Sequence, residues 1–261
     1  MTPLDDRGLL LGDGLFETLL ARDGELVWLG PHLDRLAAGC EVLGLPPPDR
    51  ARAEQVLIQA LAQSGVVQGR AAVRLTLTAG SGGRGLDRPE SLSPRLFAAA
   101  QAAPEAPGPA RLAVSAVRRN AGSPASRLKS LAYLDNVLAR REARAAGADE
   151  AVMLNTDGLV ACAGAANLFW VTQGRLFTPA LDCGVLAGIA RARTLAAARA
   201  MGVETVEAHA GLPEVAAAEA VMLTNSLIGV RQVCDWDGRV YAPSPLAARL
   251  AAGLWTSSPG R

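Results

Sequence analysis

Lysine is almost missing from this sequence. Of its 26 basic residues 25 are arginines, and Lys129 stands alone. Arginine keeps its proton near neutral pH and forms no imine with an aldehyde, whereas lysine can lose its proton and can form one. A chain that places arginine wherever plain positive charge serves marks its one lysine as a candidate for amine chemistry. Histidine is scarce too: His32 and His209 have no metal-pair spacing. The four cysteines, Cys40, Cys162, Cys183 and Cys234, lie far apart and form no Cys-x-x-Cys pair. That excludes a zinc ribbon or redox dithiol, and the expectation is reduced thiols and no metal. A basic excess is lacking as well, since the formal net charge is +1, so no nucleic-acid footprint is expected. No apolar run reaches the roughly 18–20 residues that span a bilayer. The start, Met1 to Arg7, has acids where a signal peptide has basic residues. The expectation is a cytoplasmic protein with no membrane partner.

What is present is length and hydrophobic content. With 261 residues, half of them hydrophobic, the chain has room for two modest α/β domains with substantial cores. Gly30-Pro31 opens a predicted helix through Leu43, with Gly44 as its stop. A second helix is predicted over 53–62, and Ala71 to Thr78 alternates like a strand. A glycine-rich loop follows at 79–85, then a short strand at 95–100. Residues 102–109 hold three prolines and read as a linker or exposed turn. The break between a domain over 1–103 and one over 110–261 is placed there. Beyond it, Leu131, Leu134, Leu138 and Ala145 suggest one face of a helix stopping at Gly147. Thr156-Asp157-Gly158, Gln173-Gly174 and Asp237-Gly238 read as hairpin turns, and a helix is predicted over 189–201.

Six segments then occur in a telling order. They are Gly12-Asp13-Gly14-Leu15-Phe16-Glu17-Thr18, His32-Leu33-Asp34-Arg35-Leu36, Lys129 to Asn136 (KSLAYLDN), Asn167-Leu168-Phe169, Gly188-Ile189-Ala190-Arg191, and Thr224-Asn225-Ser226-Leu227. Together they resemble the class IV family of pyridoxal-5′-phosphate aminotransferases and aminodeoxychorismate lyases. The resemblance spans nearly the whole chain, and its cofactor lysine falls on the only lysine. It implies a two-domain α/β enzyme of fold type IV, D-amino acid aminotransferase-like, with the cofactor in a cleft between domains and a homodimer completing the site. Lys129 would be the Schiff-base lysine and, once displaced by a substrate amine, the base beside the substrate carbon. Arg35 would be the charged partner of the phosphate. Backbone amides at Gly188, Ile189 and Ala190 would bind it at a helix N-terminus, and Thr224-Asn225 would add a second anion-binding turn.

Two positions depart from the family pattern. Ala190 replaces a threonine, which removes a hydroxyl. Cys162 stands where a glutamate would pair with the pyridine nitrogen, so the ring becomes a weaker electron sink. Transamination relies on that sink more than a β-elimination whose product is aromatic. Gly82-Gly83-Arg84-Gly85 resembles a loop of aminodeoxychorismate lyases, with Leu86 replacing an aromatic residue. A dicarboxylate substrate makes Arg84 on a flexible loop, and Arg231, candidate substrate contacts. The leading expectation is a 4-amino-4-deoxychorismate lyase producing 4-aminobenzoate and pyruvate, towards folate. A branched-chain or D-amino acid aminotransferase is the first rival. A non-catalytic relative is the second, favoured by Cys162 and Ala190 and opposed by Lys129 and Arg35.

Overall fold

A computed structural model describes residues 3–255. The outermost residues of both expected domains, 1–2 and 256–261, lie outside the described residues. The chain divides into two compact units, Met1–Glu105 with Leu128–Ala132, and Ala106–Arg127 with Tyr133–Arg261. The division falls between Glu105 and Ala106, and the segment carrying Lys129 belongs to the first unit because its backbone bonds to a strand there.

The first unit holds α1 (Arg7–Leu11), β1 (Gly14–Arg22), β2 (Glu25–Leu26), α2 (Leu29–Leu43), α3 (Arg50–Gln63), β3 (Arg70–Thr78) and β4 (Arg95–Ala102). Its sheet runs β2-β1-β3-β4, antiparallel throughout. Strand alternation sends Leu15, Glu17 and Leu19 of β1 to one face. Leu15 and Leu19 join Leu33, Leu36 and Cys40 of α2 and Leu57 and Leu61 of α3 in one core. The helix starts carry different signals. α3 begins three residues before the predicted start because the Asp49 side chain accepts from the Arg52 amide. α2 begins after Trp28, which turns the chain at φ 57°.

The second unit holds β5 (Ala110–Val114), α4 (Pro124–Arg127), α5 (Leu134–Ala145), β6 (Glu150–Leu154), β7 (Val160–Ala163), β8 (Asn167–Thr172), β9 (Arg175–Pro179), α6 (Ile189–Ala200), β10 (Thr205–Ala208), α7 (Leu212–Ala216), β11 (Ala220–Asn225), β12 (Gly229–Trp236), β13 (Arg239–Val240) and α8 (Pro245–Gly253). Its sheet runs β10-β9-β8-β11-β12-β5-β6-β7, with β13 paired to β12. Gln173-Gly174 and Asp237-Gly238 make hairpin turns with positive φ at both residues. On α5 the buried face is Asn136, Ala139 and Ala143, while Leu134 is exposed and Leu131 precedes the helix. The leucine periodicity pointed to the wrong face, because small alanines pack against β6 there. Among the described residues no helix is long and apolar enough to cross a membrane.

Candidate active site

The Gly12–Thr18 motif resolves into separate physical roles. Gly12 ends α1 at φ 68°, a left-handed conformation that glycine adopts readily. A Cβ on Gly14 would meet the Leu77 carbonyl oxygen at 2.3 Å and Leu131 Cδ1 at 2.8 Å, so only glycine lets these segments approach. Asp13 accepts from Arg7 Nε at 2.9 Å and from Arg88 Nε at 3.0 Å and Nη2. Those guanidiniums, Arg88 foremost, hold its carboxyl below the usual range against the burial that raises it. Neither Arg7 nor Arg88 was singled out from sequence.

Lys129 is fixed through its backbone. The Phe16 amide donates to the Lys129 carbonyl at 2.9 Å, and the Leu131 amide to the Gly14 carbonyl at 3.0 Å, so 129–131 lie antiparallel to β1, with Leu15 opposite Ser130. The Lys129 Nζ stands 4.2 Å from the centre of the Phe16 ring, and the Arg74 guanidinium 3.6 Å from it. Burial pushes the Lys129 amine down to about 8; Glu17 opposes that shift, and Arg35 and Arg74 add to it.

Glu17, buried on the core face of β1, anchors the rest of this cluster. Arg35 donates to it from Nε at 2.8 Å and from Nη2 at 2.6 Å, a two-pronged pairing. His32 Nδ1 lies 2.7 Å from Glu17 Oε2, the oxygen that Arg35 Nη2 also meets. Burial alone would raise the Glu17 carboxyl; Arg35 and then His32 outweigh it and hold it at about 2. His32 is buried, and that burial lowers its pKa and keeps it neutral. A carboxylate only accepts, so the His32 proton resides on Nδ1. His32 and Arg35 sit one helical turn apart on α2 and reach the same carboxylate. Arg35, expected to meet a phosphate, thus spends two of its donors on Glu17. Sequence reading missed Glu17 as a site residue; an acid inside an otherwise apolar strand pattern was the available signal.

The glycine-rich loop is tied down and not free. Arg7 donates to the carbonyls of Gly85, Leu86 and Asp87 at 3.3, 2.9 and 3.1 Å. Arg84 and Asp87 exchange backbone hydrogen bonds at 3.1 Å. A Cβ on Gly83 would lie 2.1 Å from the Asp87 carbonyl oxygen. The expected flexible loop is therefore a pinned turn, with Arg84 exposed at its tip.

In the second unit, α6 begins at Gly188 without a side-chain cap, leaving the start of its dipole open. A Cβ on Gly188 would fall 1.9 Å from Asn167 Oδ1, and Asn167 Nδ2 donates to the Leu186 carbonyl at 2.9 Å. Ile189 and Ala190 are buried. Thr224 pairs with Asn167 across β11 and β8, which puts it beside this helix start. Its Oγ1 is buried with no hydrogen-bond partner, a standing cost unless a ligand takes it up. Asn225 is used internally: its Oδ1 accepts from the Leu227 and Ile228 amides at 2.9 Å, and its Nδ2 donates to the Ala165 carbonyl. Its side chain builds the turn and does not present donors from it.

Cys162 lies on β7 opposite Met153, packed among Ala139, Ala143, Ala151, Cys183 and Val185. Burial raises its thiol, Arg119 opposes that, and Glu150 adds to it, so it is a neutral thiol. Arg119, which sequence reading passed over, donates to Asn136 Oδ1 at 3.3 Å and to the carbonyls of Ser126 and Gly184. Arg231, a candidate substrate contact, is occupied otherwise. It donates to the carbonyls of Gly108 and Pro109 at 2.6 and 3.3 Å and to Asp149 at 3.2 Å. It joins β12 to the chain entering β5 and to the start of β6.

Pyridoxal phosphate fits this residue set in part. A partly buried lysine of lowered pKa suits its aldehyde, and an uncapped helix start beside an unsatisfied threonine hydroxyl suits its phosphate. The neutral Cys162 does not suit a protonated pyridine nitrogen.

Known proteins place the chain. The family described as amino-transferase class IV matches residues 14–236. An aminodeoxychorismate lyase of Bacillus subtilis is 30% identical over 228 residues, covering 86% of this chain and 78% of the relative. A chloroplastic D-amino-acid transaminase of Arabidopsis thaliana is 32% identical over 244 residues, covering 90% and 65%. The crystal structure of 4-amino-4-deoxychorismate lyase from Pseudomonas aeruginosa superimposes with a TM-score of 0.85 at 34% identity, covering 97% of this chain and 94% of that one. The fold is that of the fold type IV enzymes, and the chain belongs to the class IV aminotransferase family, whose enzymes depend on pyridoxal 5′-phosphate.

Proposed function

We propose that the protein is a 4-amino-4-deoxychorismate lyase, releasing 4-aminobenzoate and pyruvate. The observation that carries this reading is Cys162, a buried neutral thiol where the family resemblance implies a carboxylate. The lyase relatives support it. When bound, pyridoxal phosphate supplies an aldehyde for amines and a ring that accepts electrons from the substrate carbon. Lys129 would hold it through Nζ. The amides at Ile189 and Ala190 with the Thr224 hydroxyl would take its phosphate, with Arg35 as the charged partner that the family resemblance implies.

The chain's own work is proton handling. With its pKa near 8, Lys129 keeps a sizeable neutral fraction at physiological pH, so its Nζ can take the proton from the amine-bearing ring carbon and later return one. Glu17 stays ionised throughout and keeps Nζ from becoming too weak a base. Cys162 offers no negative charge to strengthen the electron sink. Loss of the enolpyruvyl group creates an aromatic ring, and that driving force tolerates a weak sink. A second copy of the chain would cover the exposed leucines of α1, Leu9, Leu10 and Leu11.

The rival is an aminotransferase, which the Arabidopsis relative favours. The purified protein is expected to show a visible absorption band that borohydride bleaches and that Lys129→Ala lacks. It is then expected to form pyruvate from 4-amino-4-deoxychorismate without any keto-acid acceptor. Turnover of branched-chain or D-amino acids with 2-oxoglutarate, and none of the chorismate derivative, would replace the lyase reading by the rival.

A further inference from the structure

Outside that machinery, the second unit brings His209 to the adjacent pair Asp182-Cys183, gathering three metal-ligating side chains. β9 and β10 are parallel, with Pro179 opposite Ala208. The segments leaving them therefore emerge side by side, and the Ala180 amide donates to the Ala208 carbonyl at 3.0 Å. After β9 the chain makes a short 3₁₀ turn, Leu181–Cys183, closed by Gly184 at φ 83°. After β10 comes His209. Its Nε2 lies 2.7 Å from Asp182 Oδ1. One ligand atom each from Asp182, Cys183 and His209 lies within 4.8 Å of the other two.

We propose that Asp182, Cys183 and His209 form a binding site for a divalent transition-metal ion of the zinc type. The donor set is one thiolate, one imidazole and one carboxylate, which suits zinc and cobalt and suits calcium or magnesium poorly. The site is anchored on one side by buried Cys183 and open on the other through exposed Asp182 and His209. A metal thus has an entry path and room for water as a fourth ligand. Tetrahedral zinc, with bonds of about 2.0–2.3 Å, needs donors about 3.5 Å apart. The two exposed side chains supply the adjustment of about an ångström by changing rotamer.

Binding releases one proton and forms three metal bonds. The Cys183 thiol gives its proton to solvent and its sulfur bonds the ion; the proton that His209 Nε2 directs at Asp182 is exchanged through solvent to Nδ1, and the freed Nε2 and the Asp182 carboxylate each bond the metal. In the metal-free state burial, then the carboxylate of Asp182 and, less strongly, that of Asp157 hold the thiol protonated. The same negative charge draws a cation. A bound ion would tie the ends of β9 and β10 together a few residues before Gly188. The role is that of a clamp on the segment leading into α6.

The test uses the protein purified with its cofactor, treated with chelator and titrated with Co²⁺. One equivalent is expected to produce a thiolate-to-cobalt charge-transfer band that added Zn²⁺ abolishes. Cys183→Ser and His209→Ala are each expected to lose that band. His209→Ala changes an exposed residue and serves if the buried Cys183→Ser variant fails to fold. Cobalt bound without a thiolate band, or a band unchanged in His209→Ala, would overturn the proposal and leave the Asp182–His209 contact as a surface hydrogen bond.

Discussion

Replacing Lys129 by methionine should stabilise the cofactor-free protein at neutral pH. Methionine keeps most of the stem and removes the charge. The amine titrates near 8 in the fold against 10.5 in the unfolded chain. At about 1.4 kcal/mol per pKa unit, that shift corresponds to roughly 2–3 kcal/mol, allowing for water that reaches the partly exposed side chain. The sign follows from linkage. Below pH 8 the lysine is charged in both states, and the fold bears the whole penalty. Between pH 8 and 10.5 the folded state has released its proton while the unfolded chain has not, and the penalty fades. Above 10.5 nothing remains. Urea unfolding of cofactor-free wild type and Lys129→Met should therefore differ by about 2–3 kcal/mol at pH 7 and converge towards pH 10.5. A variant no more stable at pH 7, or a difference that persists unchanged to pH 10.5, would refute the burial account of this amine.

Glu17→Gln should destabilise the protein by about 3 kcal/mol at pH 7, since it leaves a guanidinium without its carboxylate. The Glu17 pKa is lowered in the fold, from 4.5 to about 2, so that stability is present above pH 4.5 and lost as pH falls towards 2. The gap between wild type and variant should shrink over that range in urea unfolding. Thr224→Val should leave the cofactor-free protein unchanged or up to about 1 kcal/mol more stable, yet weaken pyridoxal phosphate binding about tenfold; equilibrium dialysis alongside unfolding separates the two. Cys162→Glu should raise the ratio of transaminase to lyase turnover and alter the visible spectrum of the bound cofactor. If both stay unchanged, the thiol has no part in choosing the reaction.

The helices and hairpins were legible where one local signal decides them. Gly44 after a periodic stretch ends α2 where predicted, and Gln173-Gly174 closes the β8–β9 hairpin because both residues take positive φ. Lys129 stood out as a candidate because it is alone. What stayed hidden depends on distance in sequence. Arg7 meets carbonyls some 80 residues away, Arg231 meets Gly108 and Pro109, and His209 meets Asp182 only because β9 and β10 run parallel. None of these pairings has a local pattern. The α5 face was misread because its buried side is made of alanines, which carry little weight in a hydrophobic pattern but pack closely against a strand.

The cluster around Lys129 sets its basicity by opposed effects, and Arg35 acts on both sides of the balance. Its positive charge lowers the Lys129 pKa directly. It is also the strongest partner that keeps Glu17 ionised, and ionised Glu17 raises the Lys129 pKa. With Arg35 present, Glu17 is an anion at any pH where the amine works, so the raising effect is constant and only burial and the two arginines move the amine down. Without Arg35, burial would lift Glu17 towards neutrality with only His32 opposing, and His32 is itself neutral. Lys129 would then lose a repelling neighbour, and its attracting one would become sensitive to pH. The arginine–glutamate pair therefore fixes the base near 8 across the neutral range. Under the proposed reading, the neutral Cys162 on the other unit would leave the electron sink weak. A well-set base with a weak sink is the combination an aromatising elimination can use and a reversible amino transfer uses poorly.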